Sequence, residues 1–318
     1  MPKEKHQGEY IFHQGRFVRW DEAVVHIGTH ALHYGSSVFE GLRVYAQAGG
    51  GQAIFRLRDH LLRLFDSARL LRIELAQQFS LEQLEAICLE LVARNHSGAC
   101  YLRPIVYRSA ASFSLDVGSL PFSFSLLSIE WGTYLGEGAL EKGVDAQVSS
   151  WRRFGSGSLA PMGKIGGQYV NNQWVSTQAK LDGYEEGIVL DAQGMVSEGG
   201  GENLFLVKNG VLFTPPLSSS ILAGITRDSV VRLARADGFE VRETPIAREL
   251  LYIADEIFMT GTAAEITPVR TVDRMKVGSG ERGRITQRLQ EIFFATVEGR
   301  RPDTFGWLEV IPALVHTA

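Results

Sequence analysis

Apolar positions along this chain switch repeatedly between a helical and an extended period. From Asp59 onward, Leu61, Leu64, Phe65, Ala68, Leu71 and Leu75 recur at three-and-four spacing, which gathers them on one side of an α-helix. Arg63 falls on the opposite, solvated side by the same count. A second helix opens at Ser80-Leu81-Glu82-Gln83, a capping-box pattern, and continues on Leu84, Ile87, Cys88, Leu91 and Val92, which predicts a core position for Cys88. Residues 10–12 and 15–20 are short β-prone runs, and 101–107 and 122–131 are predicted strands. Alternation puts Tyr101, Arg103, Ile105 and Tyr107 on one face. Pro104 has no N–H to give a ladder, so it predicts an edge or irregular position there. In 122–131 the alternation slips at Leu126-Leu127.

Glycines at 132, 136 and 138 then give the chain the character of a linker. Beyond it, 144–151 predicts a strand, a glycine- and serine-rich approach leads to Lys164, and Val170, Trp174 and Leu181 mark a helix. Strands follow at 187–191, 195–197 and 203–207, and Asn209-Gly210 turns a hairpin into 211–213. A helix starts near Thr226 and ends at Gly238, a C-cap residue type, before strands at 240–243 and 255–260 and a last helix over 284–297. Interleaved strands and helices predict an α/β protein, mixed α and β, in two unlike domains. The expected division is a smaller N-terminal domain at 1–132, a linker at 133–143, and a larger C-terminal domain at 144–318 that carries Lys164.

Composition narrows the function classes. The chain of 318 residues exceeds the roughly 150 that one domain usually holds, in agreement with two. A net charge of -4 gives no excess of Lys and Arg for neutralising phosphates, which argues against a nucleic-acid partner. No apolar run approaches the ~20 residues that span a bilayer, so no membrane partner is expected and a cytoplasmic location is the default. Cys88 and Cys100 form no C-x-x-C pair, which suits a reducing compartment and two inert thiols.

Three motifs fail on their own chemistry. Gly278-Ser279-Gly280-Glu281-Arg282-Gly283 has dinucleotide-binding form, but the chain left after it is too short for the sheet, and Glu281 would face a pyrophosphate. Around Lys164 the spacing misses a P-loop by one residue, and Ile165 stands where a magnesium-binding hydroxyl belongs. His26, His30 and His33 lack metal-ligand spacing, so no metal is expected.

Four segments carry possible chemistry. Lys164 lies in Pro161-Met162-Gly163-Lys164-Ile165-Gly166-Gly167, where the glycines would let a flat ligand approach the backbone, although a surface loop lysine is the plainer reading. Glu198, at a strand end before Gly199-Gly200-Gly201, could reach a cleft and keep a pyridine nitrogen protonated, or be an exposed loop glutamate. Gly224-Ile225-Thr226-Arg227 opens a helix whose amides could bind phosphate, or Thr226 is simply an N-cap. Gly261-Thr262-Ala263-Ala264 offers a second turn of exposed amides.

Taken in order with His30-Ala31-Leu32-His33-Tyr34-Gly35-Ser36-Ser37-Val38-Phe39-Glu40-Gly41 and Tyr101-Leu102-Arg103-Pro104, these segments resemble the class IV, fold-type IV aminotransferases, specifically the bacterial branched-chain amino acid aminotransferases. The resemblance runs from about residue 10 to 307. It implies the two-domain pyridoxal-phosphate fold type IV shared with D-amino acid aminotransferases, pyridoxal 5'-phosphate as cofactor, and ping-pong transfer of an amino group from leucine, isoleucine or valine to 2-oxoglutarate. It also implies amino acid and 2-oxo acid partners and a homodimer or higher homo-oligomer.

By resemblance Lys164 is the catalytic Schiff-base lysine, Glu198 meets the pyridine nitrogen, and Tyr169 holds the phenolic oxygen. Arg63, Ile225, Thr226 and Thr262 would bind the phosphate. Tyr101 with Thr262 and Ala263 would take the substrate α-carboxylate, Arg103 and Tyr34 a glutamate side chain, and Phe39, Trp131, Tyr134 and Tyr169 an apolar one. Tyr101 and Arg103 separate the chain from D-amino acid aminotransferases and aminodeoxychorismate lyases, which remain alternative activities on this fold. Residues 109–119 depart from the family's glycine-rich Asn-Pro loop, which the neighbouring subunit contributes to the pocket. That departure bears on side-chain preference and is compatible with an (R)-amine side activity.

Overall fold

The computed structural model describes residues 7–96, 98–130, 135–136 and 138–311. The elements in chain order are β1 (Tyr10–His13), β2 (Arg16–Arg19), α1 (His30–Tyr34), β3 (Ser37–Phe39), β4 (Leu42–Ala46), β5 (Gln52–Phe55), α2 (Leu57–Leu70), α3 (Leu81–Asn95), β6 (Cys100–Arg108) and β7 (Phe122–Ile129). There follow α4 (Ala139–Lys142), β8 (Val144–Arg152), α5 (Tyr169–Leu181), β9 (Glu186–Leu190), β10 (Val196–Gly199), β11 (Asn203–Lys208), β12 (Val211–Thr214), α6 (Ile225–Ala236), β13 (Val241–Glu243), α7 (Leu250–Ile253), β14 (Glu256–Gly261), β15 (Glu265–Val272), β16 (Met275–Lys276), α8 (Arg284–Val297) and β17 (Leu308–Val310).

The chain folds into two compact units that are discontinuous in sequence. Met1–Gly132, Gly163–Gly167 and Ala295–Ala318 form unit 1; Thr133–Met162 and Gln168–Phe294 form unit 2. Lys164 therefore groups with unit 1 as part of Gly163–Gly167, although the chain on either side of that segment belongs to unit 2. Both units mix strands and helices, the fold class expected from the sequence. No helix among the described residues is long and apolar enough to cross a membrane.

Unit 1 is built on a sheet of order β17-β5-β4-β6-β7-β1-β2, with β3 paired to β6 beyond the end of β4. Leu61, Leu64 and Ala68 of α2 are fully buried, as their spacing predicts. The helix nevertheless stops at Leu70, short of the predicted stripe. Arg72 takes a left-handed φ of 53°, the chain reverses, and Leu75 re-enters the core from a short 3-10 turn. The capping box of α3 is present: Ser80 Oγ accepts from the Gln83 amide at 3.2 Å, and the Ser80 amide donates to Gln83 Oε1 at 2.7 Å.

Pro104 is not at an edge. It lies in β6, the strand between β4 and β7, opposite Leu126. Its carbonyl accepts the Glu40 amide at 2.9 Å, and N and C=O of one strand residue point the same way. On that side β4 pairs only up to Leu102 and β3 begins at Ile105, so the missing donor falls in the break between two partner strands. The register of β6 with β7 runs unbroken through Leu126 and Leu127, so the slipped alternation is not a bulge.

Unit 2 has a mixed sheet of order β10-β9-β8-β15-β14-β11-β12-β13, with β8 parallel to β9 and β15 and the other pairs mostly antiparallel. One apolar core gathers Val144, Ala146, Ile188, Leu204, Leu206, Ile257 and Met259. The adjacent residues Phe205 and Phe258 stack at 5.0 Å on the opposite face of β11 and β14, and α6 packs on β14. The β11–β12 hairpin turns on Asn209 and Gly210, both at positive φ, as the dipeptide predicts.

Candidate active site

In unit 1 the lysine segment lies against β3 through an isolated antiparallel bridge between Ile165 and Val38. The Lys164 amide donates to Ser67 Oγ at 3.0 Å, the Lys164 carbonyl accepts the Phe39 amide at 3.1 Å, and the Gly167 amide donates to the Gly35 carbonyl at 3.0 Å. This close approach requires Gly35, which has φ 63° and whose place any Cβ would share with the Gly167 backbone. The amine of Lys164 lies 5.3 Å from the centroid of the Phe39 ring, and the Arg103 guanidinium lies 4.6 Å from the same ring. Arg103 Nη2 also donates to the Tyr101 hydroxyl at 3.1 Å, while its Nε is buried with no hydrogen-bond partner. Phe39, Tyr101, Arg103 and Lys164 thus share one apolar wall bearing two cationic groups.

Arg63 corrects the sequence reading. It is not a solvated residue: its side chain is 12% exposed, and it grips the fully buried Glu40 through Nε–Oε1 at 2.5 Å and Nη2–Oε2 at 2.9 Å. His60 Nδ1 meets Glu40 Oε2 at 2.8 Å. Burial opposes ionisation of Glu40, but the Arg63 charge and the bonds from His60 and Arg63 outweigh it and hold the carboxyl well below the usual range. Burial pushes His60 the other way, below its ordinary value, in spite of Glu40. His60 is therefore a neutral donor to a charged carboxylate, and the ion pair proper is Glu40–Arg63.

In unit 2 Glu198 is the penultimate residue of β10, almost wholly buried. Its Oε1 pairs with Arg153 Nη2 at 2.7 Å; its Oε2 accepts from Asn203 Nδ2 at 3.2 Å and from the Leu222 amide at 2.9 Å. Arg153 continues to Asn172 Oδ1 at 2.9 Å, and Asn172 Nδ2 donates to the Gly200 carbonyl at 2.5 Å. Tyr169 is the first residue of α5, one turn before Asn172. Gly224 caps α6; a Cβ there would collide with Asn203 Oδ1. The helix begins at Ile225, so Thr226 is its second residue rather than its N-cap, and the cap itself is a glycine with no side chain to offer. Thr262 and Ala263 form the turn between β14 and β15, and Asn203 stands opposite Thr260 in the ladder. Glu198, Ile225, Thr226, Thr262 and Ala263 are thereby gathered around the Asn203 end of β11.

Of the residues singled out in the sequence, Tyr34 is 44% exposed, its hydroxyl donating to the Phe113 carbonyl at 3.2 Å. The divergent loop is tied to α1 there, with the His30 amide donating to the Ala110 carbonyl at 2.9 Å. Trp131 and Tyr134 lie outside the described residues. Sequence reasoning gave no role to Glu40, His60, Ser67, Arg153, Asn172 or Asn203. Glu40 and Asn203 stood inside the segments that carry the resemblance, and none of the six carries a local pattern that marks it.

Unit 1 supplies an amine and an arginine, and unit 2 supplies a buried carboxylate and the N-terminus of a twelve-residue helix. An arginine and a helix N-terminus suit a phosphate, an amine suits an aldehyde, and a carboxylate suits a protonated ring nitrogen, so the residues fit a phosphorylated pyridine aldehyde.

The chain belongs to the class IV amino-transferase family, whose pattern it matches over residues 37–272. It is accordingly an aminotransferase, of a family that uses pyridoxal phosphate. It is 45% identical over 313 residues to the branched-chain-amino-acid aminotransferase of Escherichia coli (strain K12), covering 96% of this chain and 98% of that protein. The crystal structure of the Escherichia coli branched-chain amino acid aminotransferase superposes with a TM-score of 0.93 at 45% identity, covering 96% of this chain and 100% of the other. The branched-chain amino acid aminotransferase from Thermobaculum terrenum, solved in its PLP form, superposes with a TM-score of 0.90 at 35% identity, covering 97% and 100%.

Proposed function

We propose that this chain is a cytoplasmic pyridoxal-phosphate-dependent branched-chain amino acid aminotransferase that moves the amino group of leucine, isoleucine or valine to 2-oxoglutarate. The observation that carries this reading is the Phe39 ring, with the Lys164 amine 5.3 Å and the Arg103 guanidinium 4.6 Å from its centroid. A substrate amine can reach the lysine there while its side chain meets either an aromatic surface or a cation. Both are needed by an enzyme that alternates between leucine-like and glutamate-like partners. The identity to branched-chain enzymes over nearly the whole chain supports the same conclusion.

Bound to Lys164, pyridoxal 5'-phosphate supplies an aldehyde for the substrate amine and a ring that takes up the electrons of the broken Cα–H bond. Lys164 Nζ would hold the cofactor and, as a free amine, would accept the substrate Cα proton and return it to the same bound substrate-cofactor framework. Glu198, fixed by Arg153, Asn203 and the Leu222 amide, keeps a proton at the ring nitrogen. By family resemblance Arg63, the Ile225 and Thr226 amides and Thr262 would be the phosphate ligands, and Tyr169 would hold the phenolic oxygen. Tyr101 with the Thr262 and Ala263 amides orients the α-carboxylate, and Arg103 takes the second carboxylate of glutamate.

A homodimer belongs to this reading, supported by the exposed Ile27, Leu32, Phe113 and Leu115 of unit 1; light scattering that gives a monomer would remove it. The activity is tested by incubating the holoenzyme with 2-oxoglutarate and L-leucine, L-isoleucine, L-valine or D-alanine. L-Glutamate is expected with the three branched-chain substrates. Turnover of D-alanine with none of L-leucine would place the chain with the D-amino acid enzymes instead.

A further inference from the structure

We infer that Ser67 is a positioning residue for Lys164: its buried hydroxyl fixes the lysine's backbone, and one face of α2 thereby sets the reactive amine in register with Arg63. The inference rests on the functional reading above for the roles of Lys164 and Arg63.

Ser67 is 1% exposed and lies one helical turn after Arg63, the i to i+4 spacing that stacks side chains on one face. A serine inside a helix commonly turns its hydroxyl back to the carbonyl four residues earlier. Here Oγ instead accepts the amide of a residue 97 positions away, at 3.0 Å. A side chain needed only to fill a small space between Leu64 and Ala68 would not require an oxygen. Alanine, already used next to it at position 68, would serve.

The segment it holds has particular need of an anchor. Gly163, Gly166 and Gly167 flank Ile165 and Lys164 with backbone that has the widest conformational range of any residue type. The lysine side chain is long and flexible, so the position of its Cα decides which atoms Nζ can reach. The Phe39 amide fixes the carbonyl side of Lys164 and Ser67 fixes the amide side. Removing the Ser67 acceptor takes away the contact on the amide side and leaves the Phe39 bond on the carbonyl side and the Gly167–Gly35 bond beyond it. Displacement of about 1 Å in a reacting group costs on the order of a hundredfold in rate.

The test uses holoenzyme of wild type, Ser67→Ala and Ser67→Cys, the last keeping the volume while weakening the acceptor. Hydrogen exchange is read on the peptides spanning 163–167 and α2. The half-reaction with L-leucine is read by stopped flow as a maximal rate and a half-saturating concentration. Both variants are expected to exchange faster at 163–167 with α2 unchanged, and to lose about tenfold in maximal rate with half-saturation within twofold. If alanine unfolds the helix, cysteine alone decides. A variant whose 163–167 exchange and maximal rate stay within twofold of wild type overturns the inference, even if its melting temperature falls. A wild type with no half-reaction on any L-amino acid overturns the functional reading and this role with it; a normal wild type matched by both variants overturns the role of Ser67 alone.

Discussion

Replacing Glu40 by Gln removes the charge that holds Arg63 and His60 together. Four hydrogen bonds converge on this carboxylate, two from Arg63 at 2.5 and 2.9 Å, one from His60 at 2.8 Å and one from the Gly41 amide at 3.2 Å. The glutamine amide has one acceptor oxygen to offer them, and its NH2 faces a donor. Arg63, 12% exposed, is left as a buried cation with half its partner gone. Breaking one side of a buried ion pair costs about 3–5 kcal/mol, and the retained acceptor puts the expected loss near the lower end, about 3 kcal/mol. The folded-state carboxyl is held below its ordinary value of 4.5, so its contribution is fully present above that value and is lost only as pH falls through the folded value. Urea unfolding at about pH 7.5 therefore measures all of it. With slopes of roughly 1–3 kcal/mol per molar urea, the midpoint should fall by about 1 M or more. A loss below about 1 kcal/mol at unchanged slope would refute the buried ion pair as the main force on this face of α2.

Two other substitutions test separate parts of the account. Burial raises the Glu186 carboxyl above its ordinary value, against the Gly187 amide donating at 2.7 Å, so its favourable state is lost as pH rises through the folded value. Glu186→Gln keeps the acceptor and removes the titration; its melting temperature should gain on wild type as pH rises above the ordinary carboxyl value of 4.5, and a constant difference would contradict the buried acid. Gly41→Ala places a methyl group on the Tyr101 hydroxyl, which must move, so kcat/KM for L-leucine should fall by about tenfold or more. Unchanged kinetics would separate Tyr101 from substrate binding.

Periodicity served well where burial and local geometry coincide. The stripe of Leu61, Leu64 and Ala68, the Ser80–Gln83 capping box and the Asn209-Gly210 turn are each decided by neighbours in sequence. It failed where a distant partner decides. Arg63 reads as solvated because its polarity is local, while the carboxylate that draws it inward is 23 positions earlier. Pro104 reads as an edge residue because the break between β3 and β4 is a property of the assembled sheet. β15 went unrecognised behind its Gly261-Thr262 turn and Pro268, although it is an interior strand of unit 2.

The site shows the same division. Lys164 and Glu198 each look like loop residues taken alone, and the resemblance, not their spacing, brought them forward. Nothing near Lys164 in sequence points to Ser67, and nothing near Glu198 points to Arg153, since hydrogen bonds at 3.0 and 2.7 Å across the fold leave no mark on local composition.

The central claim is that Lys164 is the amine to which the cofactor is bound. Borohydride reduction of the resting holoenzyme, followed by proteolysis and mass spectrometry, reads that bond directly. The account predicts the phosphopyridoxyl mass on the peptide containing Lys164, and its disappearance in Lys164→Ala together with transamination of L-leucine. The mass on a different lysine, or a Lys164→Ala variant that still forms the adduct and turns over, would contradict it.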